Sequence, residues 1–470
     1  MPVSARPDFA AVRAEFDLPA AFPPEVLAEA AAAAAPAPGP GRRDATDVEL
    51  VTIDPPGSKD LDQALGVLRR DGGFRVHYAI ADLGAVVVPG GALDAEVRRR
   101  GQTVYLPDGS VPLHPPVLSE GAASLLPDGP RAAVLWTIDL DADGEVTAVA
   151  VERALVRSRA QLDYEGVQAD IDAGRTHPAI AALPELGPLR RAHAVRRGAI
   201  ELELPEQEVV RDGDGWTVRV RRRPAVEDWN AEISLLTGMA AGAMMLDAGV
   251  GLLRTLPAPE PGALQEFART AAGLGIVVEP TVPAIAALLP GLPDTAPALA
   301  LRRAATGLLR GAGYAAFGDG TPPPDDPGHG GIGAPYAHVT APLRRLVDRF
   351  GTEVCLAVAA GEAPAEWLRT ALPDLPALMS ASDATASAVD RACVDRTEAA
   401  LLAGRIGERF EVVVLRPAAA DGDAGEVFLA DPPVLARCRG PIEAGAQAVV
   451  TLVEADPATG RIAFAAAGQR

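Results

Sequence analysis

Three apolar runs separated by chain-reversing turns constrain this sequence more than any other feature. Val48-Glu-Leu-Val-Thr-Ile53 alternates at the period of a β-strand, and Pro55-Pro56-Gly57-Ser58 then forces a turn. Gln63-Ala-Leu-Gly-Val-Leu68 and Phe74-Arg-Val-His-Tyr-Ala-Ile80 flank Asp71-Gly72-Gly73, which is the pattern of a β-hairpin. The first of these turns carries Asp54, Asp60 and Asp62. Asp60 and Asp62 lie two apart, so a strand that has begun by Asp60 points both to one face, and a tight turn brings Asp54 back towards them. Three crowded carboxylates repel one another unless a cation lies between them, and hard oxygen donors suit Mg²⁺ or Mn²⁺. The competing reading is a solvated acidic turn, because turns are rich in Asp.

The rest of the chain follows from the same signals. Residues 1–47 read as an N-terminal helical and linker segment, with an Ala tract from Ala30 to Ala35 followed by Pro36-Ala-Pro-Gly-Pro-Gly41. Ala92 to Arg100 reads as a short helix, and a second hairpin is expected around Asp139 to Glu145. That turn mimics the start of a calcium loop at Asp139, Asp141, Asp143 and Gly144, but Ala150 stands where the bidentate Glu belongs, which excludes calcium. From about 165 to 310 the pattern is mostly helical, interrupted by strand-like Glu201 to Leu204 and Trp216 to Val220; Val226 opens a clear amphipathic helix. Gly318 to Pro335 reads as a loop, Leu343 to Val358 and 380–405 as helices. Four strand-like runs after residue 406 predict a small barrel. The fold class is α+β, a mixed sheet with helices and a C-terminal OB-like β-barrel.

The net charge of −20 argues against binding nucleic acid or anionic membrane over the whole surface, while leaving room for a local basic channel. Arg clusters at Arg98-Arg99-Arg100, at Arg219 with Arg221 to Arg223, and at Arg344-Arg345 with Arg349 are the candidates; the bland reading of each is a solvated face. Cys355, Cys393 and Cys438 are too scattered for a disulfide framework or a zinc site. No apolar run reaches the length of a membrane span and no leader pattern opens the chain, so the expectation is a cytoplasmic protein with no membrane partner.

Two further stretches carry chemistry. Arg100-Gly-Gln-Thr-Val-Tyr-Leu-Pro107 sets Tyr105 beside the Arg-rich helix, where a ring could stack a base while cations track phosphate. Tyr336-Ala-His-Val-Thr-Ala-Pro-Leu-Arg-Arg-Leu-Val-Asp348 places Thr340 shortly before a proline and puts Arg344 and Arg345 in the first turns of a helix, where planar guanidinium forks suit phosphate.

Together with His77-Tyr-Ala-Ile-Ala-Asp82 and Pro112-Leu-His-Pro-Pro-Val-Leu-Ser119, these motifs, in this order, resemble the ribonuclease II / ribonuclease R family and its RNB catalytic module. The resemblance spans roughly residues 48–357, with 358–405 a helical continuation and 406–470 the OB-like barrel. It implies processive 3′→5′ hydrolysis of single-stranded RNA to nucleoside 5′-monophosphates by a monomer. It further implies Mg²⁺, or alternatively Mn²⁺, held by Asp54, Asp60, Asp62 and Gln63, and a base-stacking Tyr105. The catalytic residues it implies are Asp62 and Arg344, with RNA contacts from Arg100, Arg345 and Thr340. Two departures stand out. Gln63 replaces the family's fourth aspartate, which predicts weaker metal binding, a preference for Mn²⁺ or reduced activity. Val389-Asp390-Arg391 stands for the family's Ala-Glu-Arg, making Asp390 the candidate third catalytic residue. The family's N-terminal cold-shock domains are not expected within residues 1–47.

The non-enzymatic alternative is a catalytically weakened RNB-fold protein that clamps RNA without cutting it. An aspartyl-phosphate phosphohydrolase built on Asp60-Leu61-Asp62 lacks the preceding hydrophobic strand and a downstream Gly-Asp-Gly loop. A serine hydrolase lacks a Gly-x-Ser-x-Gly elbow. His77, His114 and His338 read as structural before they read as ligands.

Overall fold

The computed structural model describes residues 7–34, 41–200, 206–221, 223–293, 295–418 and 424–466. The chain opens with helices α1 (Phe9–Glu15) and α2 (Pro24–Ala34), then strands β1 (Arg43–Asp44), β2 (Leu50–Asp54), β3 (Gln63–Arg70) and β4 (Gly73–Ala81). Asp71 and Gly72 alone link β3 to β4, with Gly72 at φ +81°, the left-handed backbone such a two-residue turn demands. Helix α3 (Ala92–Arg100) follows, then a small hairpin of β5 (Val104–Leu106) and β6 (Gly109–Val111), the long strands β7 (Arg131–Asp141) and β8 (Val146–Val156), and β9 (Ser158–Asp163).

Seven of these strands form one sheet in the order β1-β8-β7-β4-β3-β2-β9, parallel only at its two edge pairs. Its middle strands are buried, and Trp136, Tyr78 and Phe74 are among its largest fully buried side chains. Burying both faces requires covering helices. These include α4 (Tyr164–Asp172), α5 (Leu183–Arg196) and, after the hairpin of β10 (Glu206–Asp212) and β11 (Gly215–Arg221), the 24-residue α6 (Ala225–Ala248). A second pair of strands, β12 (Gly251–Thr255) and β13 (Gly313–Phe317), brackets a helical insertion, α7 (Pro261–Gly273), α8 (Val282–Leu288) and α9 (Ala296–Ala305), which has a core of its own. Glu201 to Leu204, expected as a strand, lies outside the described residues.

After a short pair, β14 (Gly328–His329) and β15 (Ala334–Pro335), helix α10 (Leu346–Ala359) closes over the sheet, and α11 (Glu366–Ala371) leads into the 28-residue α12 (Leu375–Leu402). Five strands, β16 (Arg409–Arg416), β17 (Gly425–Ala430), β18 (Pro433–Arg439), β19 (Gln447–Asp456) and β20 (Arg461–Ala466), close into a barrel in the order β16-β17-β18-β20-β19. Closure leaves no strand edge unpaired. The molecule is thus α+β with an OB-like C-terminal barrel, as expected. Strand β18 was not foreseen. Among the described residues no helix is long and apolar enough to cross a membrane.

Side-chain hydrogen bonds tie the barrel to the body. Arg303 of α9 donates to Glu426 of β17 at 2.6 and 2.9 Å. On α12, buried Glu398 accepts from Gln207 of β10, whose amide also donates to the Pro433 carbonyl at 3.0 Å. Burial raises the Glu398 carboxyl to about 8, assisted by Asp395 and opposed by the Gln207 donor. A carboxyl that is protonated in the folded chain but ionised in the unfolded chain loses its stabilising contribution as pH rises from the ordinary carboxylate range to about 8. Glu398→Gln, which keeps the acceptor but cannot ionise, is therefore expected to flatten the fall of melting temperature between pH 5 and 8. Parallel wild-type and variant melts across that range measure it, and coincident profiles would refute the assignment.

Candidate active site

The acidic residues are placed by a loop, not by a strand. Strand β2 ends at Asp54, and β3 does not begin until Gln63, so Asp60 and Asp62 do not alternate along a ladder as the two-residue spacing predicted. Gly57 at φ +84° reverses the chain, and the residues after it are pinned from outside. Ser124 donates to the Lys59 carbonyl at 2.6 Å and accepts from the Leu61 amide at 3.0 Å; Leu125 donates to the Leu61 carbonyl at 3.0 Å. Gln161 holds the Ser58 carbonyl at 2.7 Å. Leu61 and Asp62 are buried as a result, while Asp60 is half-buried.

A second loop, residues 340–345, meets the first. Helix α10 starts only at Leu346, so Arg344 and Arg345 precede the helix instead of riding in its first turns. The cause is Asp348, fully buried, which accepts from the Ala341 amide at 2.6 Å and from Arg345 at 2.5 and 2.8 Å. Arg344 and Arg345 both return their amides to the Ala341 carbonyl, making a tight turn. The turn is seated against α6, where the amide of Ala337 donates to the carbonyl of Gly238 at 3.0 Å. A Cβ at Gly238 would stand 2.1 Å from the Tyr336 ring, so that close approach requires glycine. His114 Nδ1 lies 3.0 Å from the Leu343 carbonyl, and burial lowers the imidazole to about 4, so it is neutral and donates from Nδ1.

The loops lock together at Asp62. Its Oδ1 accepts from the Leu343 amide at 2.7 Å, and its Oδ2 stands 3.6 Å from Arg344 Nε. Gln63 Nε2 donates to the Thr340 carbonyl at 2.6 Å, and the Thr340 hydroxyl pairs with Ser234 of α6 at 2.9 Å. Tyr105, on the outer face of β5 and 52% exposed, donates its hydroxyl to Asp60 Oδ2 at 3.2 Å.

The electrostatics suit a bound cation. Burial and the charge of Asp60 raise the Asp54 carboxyl to about 7, against the lowering pull of Arg344, and Asp54 Oδ2 is buried without a hydrogen-bond partner. Burial likewise holds Asp62 well above the usual range, with Arg344 and the Leu343 amide opposing. One guanidinium facing three carboxylates leaves an excess of negative charge, and an orphaned carboxylate oxygen is a hard donor, the combination that Mg²⁺ or Mn²⁺ satisfies. Among the described residues, no three His, Cys, Asp or Glu side chains already converge as a ligand shell. Gln63 has its nitrogen committed to Thr340, so only its amide oxygen remains for a cation.

The structure therefore brings together Asp54, Asp60, Asp62, Arg344 and Tyr105, whose charges perturb one another, with Gln63 and Thr340 in the joint beneath. The other candidates are placed differently. Arg100 has a side chain 3% exposed and spends its donors on Glu96, the Pro112 carbonyl and the Ala21 carbonyl. Arg345 is bound bidentately to Asp348, and Thr340 is buried. Asp390 is exposed on α12, its charge felt by Cys393 on the side of the β5–β6 hairpin opposite Tyr105. Sequence reasoning missed Ser124, Ser234, Asp348, and the pair Tyr164 and Asn230, whose Nδ2 lies 3.4 Å from the Tyr164 hydroxyl and whose tyrosine senses the charge of Asp54. Asp348 had a visible signal, an acid three residues after Arg345; the serines had none.

Comparison with known proteins covers the segments that carry both loops and the barrel. A model of the RNB domain matches residues 42–351, and one of the RNase II-type exonuclease C-terminal S1 domain matches residues 408–467. The chain is 30% identical over 360 residues to the exosome complex exonuclease RRP44 homolog A of Arabidopsis thaliana, covering 73% of this chain and 38% of the relative. It is 31% identical over 324 residues to ribonuclease R of Escherichia coli strain K12, covering 65% of this chain and 39% of the relative. It thus spans about two fifths of the length of these curated relatives. Mycoplasma genitalium RNase R, solved in complex with ribose-methylated single-stranded RNA, shares the fold with a TM-score of 0.88 at 20% identity, covering 98% of this chain and 77% of that one.

Proposed function

This chain belongs to the RNB-domain family, and from that premise we propose that it is a metal-dependent 3′→5′ exoribonuclease, degrading single-stranded RNA processively to nucleoside 5′-monophosphates. The observation that carries the reading is the joint at Asp62, where one carboxylate is held by the amide of Leu343 and faced by the guanidinium of Arg344. An acid and a cation from loops some 280 residues apart are thereby fixed around the space where a phosphodiester would sit.

Asp54, Asp60 and Asp62 are the residues that would hold Mg²⁺ or Mn²⁺, with the Gln63 amide oxygen as the remaining donor. When bound, the ion supplies Lewis acidity, easing deprotonation of the attacking water and offsetting charge on the departing 3′-oxygen. The chain's own residues do the rest. Arg344, 48% exposed, directs its outer N–H groups to the non-bridging phosphate oxygens, where charge grows as water attacks phosphorus and the bond to the 3′-oxygen breaks. Tyr105 presents its ring to the 3′-terminal base while its hydroxyl stays on Asp60. Arg345 and Thr340 serve RNA indirectly, by holding the loop that aims Arg344.

A second reading, a clamp that binds RNA without cutting it, is favoured by Gln63, which removes one negative charge from the cation site. One experiment separates the two. A 5′-labelled single-stranded RNA is incubated with the protein in Mg²⁺, in Mn²⁺ and in chelator. The label is expected to collect in a short limit product with either metal, faster in Mn²⁺, and to stay in intact RNA with chelator. Intact label under both metals, with RNA bound, would leave the clamp standing and end the nuclease reading.

A further inference from the structure

Tyr105 sits on a hairpin that stands apart from the seven-stranded sheet. Among the described residues, strands β5 and β6 pair only with each other, and alternation turns Tyr105 to one face and Val104 and Leu106 to the other. A lone two-stranded hairpin is marginal in water, so its position depends on what packs beneath it. On one side the answer is the catalytic loop: Thr103 donates to the Arg344 carbonyl at 2.9 Å, and Leu346 donates to the Gly101 carbonyl at 2.9 Å. On the other it is α1, which lies outside both matched domains.

Phe9 and Val12 of α1 are buried in one cluster with Val104, Leu106 and Val111 of the hairpin and Val389 and Cys393 of α12. At the hairpin's tip, Arg13 grips Asp108 bidentately, with Nη1 to Oδ2 at 3.0 Å and Nη2 to Oδ1 at 2.7 Å. The helix is itself anchored, by Glu15 to Arg396 of α12 and by Phe9 edge-on to Trp216 with ring centres 5.2 Å apart. The chain after it caps the other support of the site. Arg100 reaches the Ala21 carbonyl and stacks over Phe22 with its guanidinium 3.7 Å from the ring centre, and Glu29 of α2 accepts from the Leu93 amide at the start of α3.

From these contacts we infer that residues 9–29 are a brace that fixes the β5–β6 hairpin against the catalytic loop, and that Arg13 is a positioning residue for Tyr105 acting through Asp108. The inference rests on the functional reading of Tyr105 as the platform for the RNA 3′ end. Loosening the brace disturbs the grip on the terminal nucleotide while leaving Asp62 and Arg344 in place, so it acts on KM and on product length before it acts on kcat.

The test is a charge swap. Arg13→Asp and Asp108→Arg are each expected to raise KM for labelled single-stranded RNA about fivefold, the most that a part-exposed pair sustains, and to lengthen the limit product, with kcat at saturating RNA unchanged. The double variant, which restores the pair with its charges reversed, is expected to recover both. Hydrogen exchange at residues 104–111 should quicken in each single variant and slow again in the double, whatever the catalytic outcome. Unchanged KM and product length in the singles, or a double variant no better than either, would overturn the positioning role, as would hairpin exchange equal to wild type. A wild-type protein that binds RNA without cutting it would instead overturn the functional reading. Fluorescence anisotropy with the same RNA then decides the brace, and equal affinity of wild type and singles would overturn it too.

Discussion

Asp62→Asn should lower kcat by about 10³-fold or more, with a melting temperature no lower than wild type. The substitution changes charge without changing shape. An asparagine oxygen still accepts from the Leu343 amide, now 2.7 Å from Asp62 Oδ1, so the joint between the two loops survives. What disappears is the negative charge that faces Arg344 and that a cation would use. Burial already holds this carboxyl well above its usual range, so keeping it ionised costs the fold stability. A neutral amide relieves that penalty, which makes function and stability move in opposite directions. Asp62→Ala is the control: it leaves the buried Leu343 amide without an acceptor, at a cost of about 1–3 kcal/mol, and is expected to melt lower. Decay of labelled RNA and thermal melts on both variants give the answer. An Asn variant as fast as wild type would remove Asp62 from the chemistry, and one that melts well below wild type would make its charge structural.

Much of this centre was legible because its signals are local. The Asp71-Gly72 turn defines the β3–β4 hairpin, and α3 runs from Ala92 to Arg100 as the pattern of residues required. Its triple arginine reads from the sequence as a basic-channel candidate or a solvated face, and Arg100, expected as an RNA contact, is instead buried. Glu96 stands four residues before Arg100 and pairs with it, and Pro112 and Ala21 complete the burial of the guanidinium; only the first of these partners is visible at helical spacing. The acidic loop shows the same divide. Its composition announced the carboxylates, yet the spacing argument gave the wrong cause. They converge because Ser124, more than sixty residues away, ties down Lys59 and Leu61, and no local pattern encodes such a contact. The start of α10 was displaced by Asp348, whose side chain captures the turn before it. Strand β18 begins at Pro433, directly after Pro432, residues that argue against a strand interior and are tolerated at its first position.

Arg344→Ala is expected to cost about 10²–10³-fold in kcat with little change in melting temperature, because the side chain is half-exposed and its ion pair with Asp62 is long. Two effects are folded into that loss, and pH separates them. Arg344 lowers the carboxyls of both Asp54 and Asp62, so its removal lets burial push both further up. If turnover needs these groups ionised, activity in the variant begins at a higher pH than in wild type, and part of the deficit at neutral pH is recovered in alkali. The remainder, constant with pH, is the guanidinium's direct action on the phosphate. Arg344→Lys divides the same way: a lysine restores the positive charge that holds the carboxyls down but not the planar fork that matches two phosphate oxygens, so its profile should return to the wild-type pH while its plateau stays low. Profiles of kcat/KM against pH for the three proteins measure both quantities. A loss in Arg344→Ala that alkali recovers completely would assign Arg344 to the acidic cluster alone, and an unshifted profile with a low plateau would assign it to the phosphate alone.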